Sequence, residues 1–331
     1  MVNRDLGFSL WLDFVERDFL KNKFEPLLEK GIVNGATSNP SIFASAITTS
    51  EAYKEQLAKL DGESPKEKYE SLAIEDIKGA AQRLRPYYDR GRDGYISMEV
   101  DPFLKNDAAG TIAEAQRLFA AIDEPNVMIK VPATEAGYEA MYALISTGIP
   151  VNATLIFSPE QAKQCLKAMK KGLDEFQSSG GERVEAVLSV FVSRFDRLLD
   201  PILEEKGIET AQTGILNAAR IYNIIEHDHT PGIRTLFAST GVKGDNLPED
   251  YYIRELLAPH SVNTAPLITI ESYIKEPGTV PKLPTPMDEI DAYFDLIASK
   301  GIDMDEVYNR LMEEGLGAFE QAFDEMLESI K

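Results

Sequence analysis

The chain has 331 residues, of which 44% are hydrophobic and 27% are charged, and its net charge is −21. This composition is typical of a globular protein and excludes a disordered or collagen-like chain. The negative charge argues against nucleic-acid or membrane-surface binding, because phosphate groups repel it. One cysteine and three histidines exclude a disulfide framework and a cysteine-rich metal site.

No apolar run approaches the ~18 residues of a membrane span. The first residues, MVNRDLGFSLWLDF, lack the cationic and apolar pattern of an export signal. We therefore expect a soluble, cytoplasmic protein with no membrane partner, no nucleic-acid partner and no metal.

Short apolar runs recur along the chain, and most are followed by a segment with helical periodicity. Runs that are apolar on both faces are typical of parallel strands buried on both sides. We count eight, at residues 8–14, 32–36, 94–100, 127–132, 149–156, 186–192, 233–239 and 261–266.

Helical periodicity is clearest in residues 107–122 and 158–172, the second of which begins with Ser158 and Pro159. Eight strands that alternate with helices predict an α/β protein with a closed (β/α)8 TIM barrel. An open doubly wound sheet is the alternative, but the glycine-rich motifs of such sheets are missing.

Two parts of the chain are additional to the eight strand–helix units of a minimal barrel. The segment between the second and third strands holds extra helical patterns at 40–59 and 67–89. Beyond the eighth strand lie a proline-rich connector at 277–286 and a final helix at 302–330. We expect one barrel domain over residues 1–331, with the final helix packed outside it; a helix that covers the barrel mouth is the less favoured interpretation.

Polar residues interrupt the apolar runs near the carboxyl ends of the predicted strands, where active sites of such barrels gather. Residues two apart in a strand face the same side, so these side chains can converge. They are Asp13, Thr37, Asn39, Glu99, Asp101, Lys130, Asn152, Thr154 and Ser189.

Each of these residues has a structural explanation when it is taken alone. Lys130, for example, could form a buried ion pair with Glu99 or Asp13. Polar residues on six of eight strands near one end favour a functional site, because burying that many polar groups is costly.

A buried lysine among carboxylates and hydroxyls predicts amine chemistry on a carbonyl compound. Glu99 must then lie close enough to exchange protons without locking Lys130 in a tight ion pair. His227 and His229 lie in a polar stretch, EHDHTPG, which is typical of a solvated loop rather than a metal site.

Several segments resemble the transaldolase family. GATSNPSIF at 35–43 is similar to its first signature, and VMIKVPATEAGYEAM at 127–141 is similar to the signature that holds the Schiff-base lysine. The resemblance continues through LWLDF, SMEVDP, VNATLIFS and LSVFVSRFD, and FASTGVK and HSVNTAP indicate the longer bacterial form.

The resemblance implies that Lys130 forms an imine with a ketose, and that Asp13 takes the proton whose loss breaks the carbon–carbon bond. Glu99, Thr154 and a water molecule would exchange protons during imine formation and hydrolysis. The sugar hydroxyls would be held by Thr37, Asn39, Asn152 and Ser189.

For the substrate phosphate, the resemblance implies Arg194, at the start of the helix after the sixth strand, and Ser239. An arginine that shorter members carry after this serine has no counterpart. We assign its role to Lys243, with Arg183, Arg197 and Arg234 as alternatives.

The implied reaction moves a dihydroxyacetone unit from sedoheptulose 7-phosphate or fructose 6-phosphate to erythrose 4-phosphate or glyceraldehyde 3-phosphate. This is a step of the non-oxidative pentose phosphate pathway, and it needs no cofactor because the protonated imine is the electron sink. Alternatives are a Schiff-base aldolase that releases dihydroxyacetone and a non-catalytic barrel that binds phosphosugars. Whether the chain forms a homo-oligomer is left open.

Overall fold

The computed structural model describes residues 3–331, so that Met1 and Val2 of the predicted domain lie outside the described residues. Within them, eight parallel strands form a closed barrel in sequence order, with β1 paired to β8. The predicted TIM barrel is therefore confirmed. The strands are β1 Ser9–Asp13, β2 Gly35–Thr37, β3 Ile96–Glu99, β4 Val127–Pro132, β5 Val151–Ile156, β6 Ala186–Phe191, β7 Ile233–Ala238 and β8 Val262–Ala265.

Helices surround the barrel, and several of them begin at polar caps. Ser64 and Ser158 each form a capping box followed by proline, which is a strong start signal. The helices are α1 Arg17–Phe19, α2 Glu25–Glu29, α3 Pro40–Thr49, α4 Lys54–Lys59, α5 Pro65–Tyr88, α6 Ala108–Ile122, α7 Glu135–Ser146, α8 Pro159–Ser178, α9 Ser193–Glu205, α10 Thr213–Asp228, α11 Tyr251–Glu255, α12 Leu267–Tyr273, α13 Met287–Ser299 and α14 Met304–Ser329.

The predicted extra helices between β2 and β3 are present as α3, α4 and α5. The proline-rich connector 277–286 contains neither helix nor strand. One strand prediction was shifted, because the run 32–36 begins before β2. Ile32 instead closes the turn after α2, where its backbone N–H donates to the Leu27 carbonyl at 2.9 Å.

The path of α14 differs from the sequence interpretation. The helix packs on α3 and crosses the mouth of the barrel, where Ala318 and Phe319 line the central cavity. Phe323 anchors it through an edge-to-face contact with Tyr69, with ring centroids 5.5 Å apart. The expectation that this helix packs only outside the barrel was therefore wrong, because periodicity identifies an apolar face but not its partner.

No helix among the described residues combines the length and the apolar character that a membrane crossing requires.

The Trp11 side chain of β1 packs directly against the backbone of Gly35 in β2. A β-carbon added to Gly35 would lie 2.6 Å from atoms of the Trp11 indole ring, and Trp11 is fully buried. The indole N–H also donates to Asp93 at 3.1 Å, which limits how far the ring can shift. Glycine is therefore required at position 35 by a close approach.

We expect Gly35→Ala to lower the free energy of unfolding by about 1–3 kcal/mol or more, because overpacking displaces a buried ring. The midpoint of urea denaturation measures this loss. Gly317→Ala on α14 is the matched control, since nothing lies within 4 Å of its added β-carbon. An equal destabilisation by both substitutions would contradict the steric explanation.

Candidate active site

The carboxyl ends of the strands open into a cavity of about 430 Å³. A larger groove of about 1290 Å³ lies outside the barrel, between α8, α13 and α14, and its lining includes none of the predicted site residues. The central cavity is therefore the candidate site. Eight of the predicted residues line it: Asp13, Thr37, Asn39, Lys130, Thr154, Ser189, Arg194 and Ser239.

Lys130 lies near the middle of β4, between β3 and β5. Register pairs it with Glu99 on one side and Asn152 on the other. Its ammonium lies 3.3 Å from Glu99 Oε2 and donates to the Ser38 carbonyl at 3.0 Å. Only 6% of Lys130 is exposed, so its aliphatic carbons are buried and its amine faces the cavity.

Glu99 is buried directly behind the lysine. Loss of solvation raises the pKa of its carboxyl group, whereas the charge of Lys130 opposes this change. Its Oε2 atom is within ion-pair distance of the ammonium but has no aligned hydrogen-bond partner among the described residues. The two groups are therefore close enough to interact electrostatically, and the charge of Lys130 partly offsets the burial of Glu99.

Asp13 ends β1, three strands away from β4 in the barrel, and is half-buried. The Thr37 hydroxyl donates to Asp13 Oδ1 at 2.7 Å and lies 2.6 Å from the Thr264 hydroxyl. Burial raises the pKa of Asp13, while Lys130 and Thr37 lower it. A carboxylate with a raised pKa is the stronger proton acceptor.

A second set of hydroxyl and amide groups comes from β5 and β6. Ser189 donates to Asn152 Oδ1 at 2.6 Å, and Asn152 donates in turn to Ser97 Oγ at 2.9 Å. Asn152 is fully buried and lies behind the lining, so it orients Ser189. The Thr154 hydroxyl lines the cavity and has no hydrogen-bond partner among residues 3–331, which leaves it available to a bound molecule.

Asn39 serves two purposes at the start of α3. Its side-chain oxygen accepts from the Ile42 N–H at 3.0 Å and caps the helix. The same side chain also lines the cavity, so helix capping fixes its position there.

Arg194 lies in the first turn of α9, and its guanidinium lies over the Phe191 ring at 5.2 Å. Within the described part of the chain, no carboxylate lies at ion-pair distance from the Arg194 guanidinium, although many other arginines and lysines form ion pairs. Burial and the nearby Arg197 lower the pKa of Arg194. An unpaired guanidinium at a helix N-terminus is suited to bind an anion.

Asp196 holds the turn that carries Arg194. Its carboxylate accepts from the Gly214 N–H at 2.8 Å and from the Tyr252 hydroxyl at 2.8 Å. Burial raises the pKa of Asp196 to about 7. These contacts join α9 to α10 and α11 and fix the start of α9.

Ser239 lies at the end of β7, in a left-handed backbone conformation with φ of 55°. Its hydroxyl is 3.0 Å from that of Ser193. Lys243, the expected second phosphate contact, is instead exposed in the following loop and is absent from the described lining of the cavity, so its position does not support that role.

The three alternative arginines have different surroundings. Arg183 pairs with Glu185, and Arg234 pairs with Asp93 at the amino-terminal side of the barrel. Arg197 is the alternative that acts electrostatically on Arg194.

Two other polar candidates lie outside the cavity lining. Asp101 binds Lys66 at 2.5 Å and caps the turn that follows β3. The pair His227 and His229 lies near the end of α10. Residues 3–331 contain no group of three or more His, Cys, Asp or Glu side chains placed to hold a metal ion.

Sequence reasoning missed nine lining residues, including Thr264, which lies beside Thr37, and Phe319, which lies beside Lys130. Thr264 lies in β8, and the search for polar residues inside apolar strands should have included it. The run 261–266 ends in proline, a residue that is unusual inside a strand. Phe319 had no such signal, because its position depends on the path of α14.

The comparisons with known proteins agree with one another. A family model described as Transaldolase/Fructose-6-phosphate aldolase matches residues 10–330. A transaldolase of Helicobacter pylori (strain ATCC 700392 / 26695) is 46% identical over 323 residues, which cover 97% of this chain and 99% of that protein. A transaldolase of Campylobacter jejuni (serotype O:23/36, strain 81-176) is 48% identical over 331 residues, which cover 98% and 99%. The family match extends from β1 to the end of α14.

Proposed function

We propose that Lys130 carries the transferred unit as an imine, on the premise that the chain belongs to the transaldolase/fructose-6-phosphate aldolase family. Within that family, it is an enzyme of the transaldolase type. The donors are sedoheptulose 7-phosphate or fructose 6-phosphate, and the acceptors are erythrose 4-phosphate or glyceraldehyde 3-phosphate. The pathway is the pentose phosphate pathway. The single cysteine and the absence of a disulfide framework suit the reducing cytoplasm, where we place the enzyme.

The observation that supports this proposal most is the surroundings of Lys130. A buried amine lies 3.3 Å from Glu99 and shares one cavity with Asp13, Thr154 and Arg194. In this arrangement, the site contains a group that can donate or accept the proton in each step of imine chemistry. The Arg194 guanidinium can bind the anionic end of the substrate.

The reaction begins when the neutral amine of Lys130 attacks the ketose carbonyl carbon. Glu99 and a water held by Thr154 supply and remove protons as one water leaves and the protonated imine forms. Asp13 then accepts the proton of the hydroxyl next to the scissile bond. The bond electrons move to the imine nitrogen, the aldose phosphate leaves, and an enamine of dihydroxyacetone stays on Lys130.

The acceptor aldehyde reverses these steps. The enamine carbon attacks the aldehyde, Asp13 returns the proton to the new hydroxyl, and water releases the new ketose. A coupled assay of fructose 6-phosphate with and without erythrose 4-phosphate tests the proposal. We expect turnover that depends on the acceptor, whereas an equal rate without acceptor would identify an aldolase that releases dihydroxyacetone.

Arg194→Ala tests the phosphate assignment. We expect the KM for fructose 6-phosphate to rise by a factor of about 10 to 100, because a charge-assisted hydrogen bond contributes about 1.5–3 kcal/mol. Lys243→Ala is the comparison variant and should change the same KM much less, because this side chain is exposed outside the cavity lining.

Unphosphorylated fructose is the control substrate in this experiment. Its turnover by the Arg194 variant should match that of the unmodified enzyme. Equal losses for the phosphorylated and unphosphorylated donors would argue that Arg194 has no phosphate role.

A further inference from the structure

The helix over the cavity places an aromatic side chain beside the lysine. Phe319 of α14 is half-buried, and the centroid of its ring lies 5.8 Å from Lys130 Nζ. The ring and the neighbouring Ala318 line the same cavity as the strand residues. The outer wall beside the amine is thus an apolar ring.

Contacts on both sides of the mouth hold α14 in place. On one side, Phe323 packs on Tyr69, and Glu320 forms an ion pair with Lys105. On the other side, the Tyr308 hydroxyl donates to Asn217 of α10 at 2.9 Å. Because these contacts fix the position of α14, the Phe319 side chain has a defined position over the Lys130 amine.

Gly315 allows the helix to approach this closely. A β-carbon at this position would lie 3.1 Å from Leu155 Cδ2 and 3.3 Å from Arg194 Nη1. The helix backbone therefore lies directly against the β5–β6 side of the mouth. Phe319, one turn further along, reaches the amine from that fixed backbone.

We infer that Phe319 is a specificity-determining residue that keeps water from the enamine on Lys130 and so favours transfer over release. This inference rests on the proposed function. The ring has no polar atom that could orient a water molecule, and its face attracts the positive charge of the protonated imine.

The two fates of the enamine differ in what its carbon reacts with. In transfer, its nucleophilic carbon forms a bond to the aldehyde carbon of the acceptor. In release, the same carbon takes a proton from solvent, one water adds to the imine carbon, and the C–N bond breaks. The products are free dihydroxyacetone and the amine of Lys130, and no oxidant or reductant takes part. Both routes end with hydrolysis of an imine, so keeping water from the enamine carbon slows the one step that only release requires, the protonation of that carbon.

The test compares Phe319→Leu, Phe319→Val and Phe319→Ala, which remove the ring in steps of decreasing side-chain volume. Each variant receives fructose 6-phosphate with erythrose 4-phosphate, and the rate of dihydroxyacetone release is divided by the rate of transfer. We expect this ratio to rise across the series, reaching on the order of tenfold in the alanine variant. The valine variant preserves the test if the alanine variant does not fold.

Leu316→Ala is the matched control, because Leu316 packs on the core from the same helix and lies outside the cavity lining. We expect it to leave the ratio unchanged. An equal rise in the control would assign the effect to loosening of the helix and overturn the role of Phe319. An unchanged ratio in folded Phe319 variants would overturn it as well.

Borohydride trapping of the unmodified enzyme separates this inference from the proposed function. Without a trapped imine on Lys130, the proposed function fails. With a trapped imine and a flat ratio across the series, the proposed function stands and the role of Phe319 fails.

Discussion

Lys130→Met is expected to reduce turnover by a factor on the order of 10⁴ or more, because no other group replaces a lost covalent nucleophile. Methionine preserves most of the apolar stem but loses the hydrogen bond to the Ser38 carbonyl and the charge beside Glu99. Borohydride treatment with fructose 6-phosphate should trap no imine in this variant. The initial rate of the coupled assay and the intact mass after reduction measure both effects.

Removal of the lysine leaves Glu99 buried without its cation, so the pKa of Glu99 should rise further and the group should become neutral. Circular dichroism and a thermal melt establish that the variant is folded. Lys167→Met, at an exposed position of α8, is the control and should retain full activity. Retained turnover or trapping in Lys130→Met would disprove the assigned nucleophile.

Asp13→Asn is expected to lower kcat by a factor of about 10² to 10⁴, which is the range for loss of a general base. Asparagine keeps an oxygen that can accept the Thr37 hydroxyl, so the local contact at 2.7 Å can persist. It cannot accept the proton whose removal breaks the carbon–carbon bond. The donor imine should therefore still be trapped, while transfer is slow.

The pH profile adds a second readout for Asp13. The base must be ionised to act, and burial raises the pKa of Asp13 above its ordinary value of about 3.9. Activity should thus fall with decreasing pH at a higher pH than an exposed aspartate would give. The part of this limb that belongs to Asp13 should be lost in Asp13→Asn, whereas the part that belongs to Glu99 remains.

Asp101→Asn is the control for this series, because Asp101 binds Lys66 outside the cavity lining. It should leave kcat and the acidic limb unchanged. An Asp13 variant with normal turnover and an unchanged acidic limb would exclude Asp13 as the base.

The barrel could be predicted from the sequence because its strands are buried on both faces. Such runs are nearly continuous in apolar residues, so a polar residue inside one is conspicuous. Lys130 in VMIKVP and Glu99 in ISMEV were found in this way, and the register places them side by side. For Lys130 and Glu99, their positions in neighbouring strands were sufficient to predict that the two side chains lie close together.

The remaining features depend on tertiary packing. Helix α13 follows directly after the proline connector and was not predicted, although Ile290, Phe294 and Ile297 form its buried face. The position of Phe319 depends on a helix that packs on α3, far away in the sequence. Helical periodicity predicts that a helix exists, but it does not predict which surface the helix covers.

The sequence also could not predict which polar residues line the cavity and which lie behind it and support them. Asn152 and Ser189 were both expected to hold sugar hydroxyls, yet Ser189 lines the cavity and Asn152 lies behind it. A strand pattern gives the side of the sheet that a residue faces but not its depth inside a barrel.

Reduction of the unmodified enzyme with borohydride in the presence of fructose 6-phosphate, followed by peptide mass spectrometry, tests the central claim most directly. The account predicts that the mass of a reduced dihydroxyacetone adduct appears on the peptide that contains Lys130. An adduct on a different lysine, or no adduct on the folded protein, would contradict it.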